Sequence, residues 1–189
     1  MAKSVIVVIG GLAAVGALSI LAAIGFAFSG VSAQVEPTAF EVRVARTARH
    51  WLIPSAARAR SNPLPTGAEV LESSLRHWAD HCASCHGNDG RGNTAVGQGL
   101  YPRAPDMTLP ATQKLSDGEL YWIVENGVKL TGMPAWGDKS SPGGDSEESW
   151  ELVHFVRHLP DLSQQELQAM ARFNPLSRAE FERELEIER

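Results

Sequence analysis

The chemistry of this chain concentrates at Cys82-Ala83-Ser84-Cys85-His86. Two thiols three residues apart, followed at once by an imidazole, form the attachment signature for a c-type haem. Each sulfur can add to one vinyl group as a thioether, and the adjacent histidine then falls beneath the iron as an axial ligand. These are the only 2 cysteines in the chain. That excludes a disulfide framework and a zinc site with four cysteine ligands. A redox C-x-x-C pair would be expected near a βαβ pattern, and none is visible. His154 and His158 have H-x₃-H spacing, but they lie far beyond the roughly 12–15 residues that separate the two halves of a zinc finger.

The elements that must position this motif are helical. Thr66-Gly67-Ala68-Glu69 has the form of a capping box. Leu71, Leu75, Trp78, Ala79 and Cys82 then recur at helical spacing, so one face is buried. A glycine-rich loop follows, through Gly87, Gly90, Gly92, Gly97 and Gly99, to Tyr101-Pro102-Arg103-Ala104-Pro105. Ser116-Asp117-Gly118-Glu119 predicts a second helix, with Leu120, Ile123 and Val124 inside and Gly127 as its stop. Thr131-Gly132-Met133-Pro134-Ala135-Trp136 reads as a loop. Asp145-Ser146-Glu147-Glu148 caps a third helix through Trp150, Val153 and Val156, ended by Pro160. The pattern is all-α with long loops.

Residues 66–160 resemble the class I monohaem cytochrome c domain. The matching residues are Cys82, Cys85 and His86, then Gly87-Asn88-Asp89-Gly90-Arg91-Gly92, then Gly132-Met133-Pro134-Ala135-Trp136, and last the helix with Trp150. The resemblance implies an all-α cytochrome c fold, with three to five helices around one haem c attached through Cys82 and Cys85. It implies His86 as the proximal ligand and Met133 as the distal one, a pair that raises the haem potential. Met107 and Met170 are the competing methionines. A metal-bound histidine usually gives its other N–H to an acceptor, and Pro102 or Pro105 would supply the carbonyl. Arg103 would pair with a haem propionate, and Trp136 would wall the haem.

Three regions flank or precede this domain. No charge occurs from Ser4 to Val35, and residues 4–28 are long enough to span a hydrocarbon core, which needs about 20 residues. The segment 1–34 is therefore expected to be a transmembrane anchor or uncleaved signal, although Val31-Ser32-Ala33 would also suit cleavage. Residues 35–65 carry Arg43, Arg46, Arg49, Arg58 and Arg60 against Glu36 and Glu41. They form a basic juxtamembrane linker that fits a helix or, over Phe40, Val42 and Val44, a strand. These arginines follow the apolar run, which conflicts with the positive-inside rule. Residues 161–189 read as a charged helical tail, in which Ser163-Gln164-Gln165-Glu166 caps a short helix and Phe181 and Leu185 are spaced i, i+4.

With 189 residues, 43% hydrophobic and 21% charged, the chain is globular and of one ordinary domain. The net charge of −5 is unlike the basic excess of a dedicated nucleic-acid binder. The expected function is single-electron transfer between redox protein partners in a respiratory or photosynthetic chain, as an electron carrier and not an enzyme. The carrier would belong to, or dock on, a membrane oxidoreductase complex. It would sit at the bacterial inner membrane as a single-pass protein, with the haem domain on the periplasmic side. The alternative is a haem-c sensor or peroxidase-like protein with an open distal site.

Overall fold

The computed structural model describes residues 2–29, 32–137, 146–176 and Arg183. Of residues 2–5, 8 and 26–29 only the backbone is described. The chain divides into two compact units, 1–35 and 36–189.

The first unit holds helix α1, Ala2–Ser29. The sequence predicts a membrane span here, and that expectation is corrected. Among the described residues no helix is long and apolar enough to cross a membrane. Gly10, Gly11, Gly16 and Gly25 thin its apolar surface. The transmembrane element of the fold class falls with this finding, and so does the single-pass, inner-membrane and periplasmic placement built on it.

The second unit is all-helical among its described residues, consistent with a cytochrome c fold. Its first helix, α2 (Ala39–Leu52), starts at a complete capping box between Thr38 and Glu41. This resolves the helix-or-strand ambiguity of that stretch. A short α3 (Ser55–Arg58) follows. Helix α4 (Ala68–His77) begins one residue later than Thr66 would allow, so Gly67 is its N-cap and no side chain caps it. It runs into a π-helical turn, Trp78–Cys82, and then α5 (Ala83–His86). Short helices α6 (Ala95–Gly99) and α7 (Pro110–Gln113) punctuate the glycine-rich region.

Helix α8 (Asp117–Asn126) opens on the predicted capping box of Ser116 and Glu119 and stops at Gly127. Helix α9 (Glu147–His158) is capped by Ser146, whose hydroxyl accepts from Ser149 N, and passes into a 3₁₀ turn, Leu159–Asp161. Helix α10 (Gln164–Met170) starts at a capping box of Ser163 and Glu166. The tail from 177 on, including Phe181 and Leu185, lies outside the described residues, Arg183 apart.

The core is built where α4 and α8 pack against α9. Trp78, Leu120, Tyr121, Trp150, Val153, Phe155, Val156 and Leu159 fill it, and Met170 at the end of α10 is fully buried in the same cluster. Tyr121 stacks on Trp150 with ring centroids 4.1 Å apart. Arg157 fastens α9 to the start of α8 by donating to Asp117 Oδ1 from both Nε (3.0 Å) and Nη2 (2.8 Å).

Candidate haem site

The attachment motif straddles the change from π turn to α5. Cys82 ends the π turn, while Cys85 and His86 close α5. Gly87 ends the helix with φ 74°, a conformation that side chains disfavour, and its N–H donates to Ala83 O at 2.8 Å. The carbonyls that end the motif, and the one just past it, are held. Trp78 Nε1 donates to Gly87 O at 2.9 Å, Gly92 N to His86 O at 2.7 Å, and Thr94 Oγ1 to Cys85 O at 3.0 Å. His86 is therefore fixed by its backbone on both sides. The indole of Trp78, 5.7 Å away by ring centroid, lies against its imidazole.

Both cysteines are free thiols. Burial, with a smaller contribution from Cys85, pushes the Cys82 thiol up to about 12. The thiol is therefore held in its protonated form. Burial likewise holds the His86 imidazole below its ordinary range, which keeps it neutral and able to ligate. Its Nδ1 is buried with no hydrogen-bond partner, so neither Pro102 nor Pro105 accepts a bond from it here.

Two loops come to this motif. Ala104 N donates to Gly97 O at 3.0 Å, tying the stretch after Pro102 to α6. Gly132 lies so close to Leu100 that an added Cβ would stand 2.7 Å from its Cδ1. The Met133 loop thus lies beside the Tyr101-Pro102-Arg103 loop. Within it, Met133 N donates to the Thr131 hydroxyl at 3.1 Å and Met133 O accepts from Val128 N at 3.1 Å. Met133 is half-buried, and Leu130 in the same turn has a positive φ of 64°. Trp136 returns to the motif, with its ring edge-on to His81 at 5.6 Å.

Other expected residues stand differently. Arg103 Nη1 donates to Glu36 at 2.7 Å, a carboxylate from the stretch before α2. Pro102 is exposed. Met107 is half-buried against the core, and Met170 is a packing residue inside it. Trp78 is the positioning residue that periodicity showed only as core. Its signal was its place four residues before Cys82, where an indole N–H reaches the end of the motif.

Residues 70–156 match the family model described as cytochrome C oxidase, cbb3-type, subunit III. No curated protein matches the chain. The matched stretch contains Cys82, Cys85, His86 and Met133, so the site and the comparison agree on a class: a c-type monohaem cytochrome with covalently bound haem c. The match supports a haem-based electron-transfer role for residues 70–156, and the model is described as that of an oxidase subunit. The residues present fit that group. Two free thiols and a buried imidazole lacking a partner at Nδ1 occupy one helix end, as a thioether-bound haem with a histidine ligand demands.

Proposed function

We propose that this cytochrome passes single electrons between redox protein partners, with His86 and Met133 as the two axial ligands and Cys82 and Cys85 as the thioether anchors. Bound haem c would supply one-electron Fe(III)/Fe(II) chemistry at a potential raised by Met/His ligation. The observation that carries the reading is His86, a neutral, buried imidazole locked by backbone bonds between two free thiols and the glycine loop. Methionine ligation is supported by Met133 sitting half-buried between Gly132 and Pro134, on a loop folded back against Leu100. With His86 and Met133 both holding the iron, no position would remain for a substrate.

The partners we infer are subunits of an oxidase-type complex, in a respiratory or photosynthetic chain. From residue 66 to the end, 11 basic residues face 20 acidic ones. A basic docking patch on the partner would suit this surface, and association would weaken with salt. Loss of the methionine–iron charge-transfer band in Met133→Ala is the expected result. An unchanged oxidised spectrum, or carbon monoxide binding to the reduced native protein, would refute methionine ligation. Companion subunits recovered in fixed stoichiometry on native purification would establish the complex.

A further inference from the structure

Just before the attachment motif the chain reads His77-Trp78-Ala79-Asp80-His81. His77 closes α4 and His81 lies in the π turn. Residues four apart share one side of a helix, and single π turns within helices recur at functional sites. Trp78 and Ala79 are buried in the core, while His77 is half-buried and His81 exposed. The two imidazoles therefore emerge together, with ring centroids 5.0 Å apart and planes at 72°. They open on a cavity whose walls also carry Asp80, Glu148 and Glu151. Arg76 on the same rim is engaged by Glu72 at 2.8 Å.

Two contacts fix His81. Its Nδ1 lies 3.3 Å from Asp80 Oδ2, and Trp136 holds the ring edge-on. A carboxylate on one ring nitrogen sets the tautomer and leaves the other nitrogen for a metal ion.

We propose that His77 and His81 form a binding site for a divalent transition-metal ion of the copper, nickel or zinc class, separate from the haem. Imidazole nitrogen suits these ions, and the three surrounding carboxylates favour a positive charge. Among the described residues no group of three or more His, Cys, Asp or Glu side chains is gathered to hold a metal. The two imidazoles would therefore chelate, with water completing the coordination.

The test titrates Zn²⁺ alone into the oxidised holoprotein by calorimetry, since zinc exchanges no electrons. One saturable site is expected. His77→Gln or His81→Gln should each weaken it more than tenfold, and Asp80→Asn by about tenfold. Absence of saturable binding, or affinities within twofold of the native protein in both histidine variants, overturns the proposal. Electron paramagnetic resonance of Cu²⁺ added to the native protein checks it without any variant. Hyperfine structure from two imidazole nitrogens supports the site, and an all-oxygen signal refutes it.

Discussion

Replacing Trp78 by phenylalanine isolates what one indole N–H does for the haem site. Trp78 is 3% exposed, packs on Phe155 at 5.0 Å between centroids, and donates from Nε1 to Gly87 O at 2.9 Å. A phenyl ring keeps the Phe155 contact but leaves the Gly87 carbonyl without its partner. An unsatisfied buried acceptor costs about 1–3 kcal/mol. The volume lost between indole and phenyl adds about 1 kcal/mol in a core that collapses only partly. The two together predict a loss of about 2–4 kcal/mol, or a fall of roughly 5–15 °C in Tm for a domain of this size. Thermal and denaturant unfolding of the holoprotein, followed by far-ultraviolet dichroism and visible absorbance, would measure it. Because Gly87 directly follows His86, freeing its carbonyl also loosens the imidazole. The oxidised spectrum and midpoint potential should therefore move along with stability. A Trp78→Phe protein within about 0.5 kcal/mol of the native one, with an unaltered spectrum, would refute the reasoning; that margin is the ordinary noise of surface substitutions.

Two further outcomes follow from the same structure. In Gly92→Ala the new Cβ would collide with Ala104 O, at a φ of +71°. The left-handed conformation costs about 1–2 kcal/mol by itself, and the Ala104 segment must also shift, so denaturant titration should show a loss clearly beyond that figure. Glu119 is held below its ordinary 4.5: burial raises it, but Ser116 N–H, His50 and the Ser116 hydroxyl together outweigh that. Its folded-state value is depressed, so its stabilisation is complete above about pH 4.5 and fades as pH falls through the lower folded value. Acid titration of Glu119→Gln should lack that component of the acid limb, and an acid midpoint equal to the native one would count against it.

The attachment motif, the helices and two of the capping boxes were legible because each rests on local chemistry. Ser116 with Glu119, and Ser163 with Glu166, are three-residue spacings that backbone geometry turns directly into paired hydrogen bonds. Thr66 with Glu69 had the same spacing and failed, because the helix begins at Ala68 with Gly67 as its N-cap, so the Thr66 hydroxyl falls outside the cap. The π turn was not legible. Leu71, Leu75, Trp78, Ala79 and Cys82 satisfy an α-helical period, and one extra residue per turn leaves that pattern almost intact. The ion pair of Arg103 with Glu36 was equally hidden, since two residues 67 apart meet only through the fold. The apolar run of the first 34 residues was read by length and lack of charge alone. Those criteria do not weigh how strongly apolar the run is along its length, with Gly10, Gly11, Gly16 and Gly25 in it.

The stretch from 36 to 65 is held unevenly, and the unevenness bears on the site. Toward its end the attachments are buried or shape-determined. Ile53 is 1% exposed, Asn62 Nδ2 donates to Trp150 O at 2.8 Å, and Gly118 approaches Ala57 O so closely that no side chain could replace its hydrogen. Toward its beginning the attachments are exposed and polar: Glu36 with Arg103 at 2.7 Å, and Tyr101 donating to Glu41 at 3.1 Å. Exposed pairs of this kind contribute about 1 kcal/mol or less. No residue of α2 is buried. The segment is therefore anchored on α8 and α9 and adjustable at the loop carrying Pro102 and Arg103. A propionate that drew on Arg103 would compete with Glu36 at little cost. Loading of the site would then be felt first at the start of α2, while the core beneath Trp150 stays as it is.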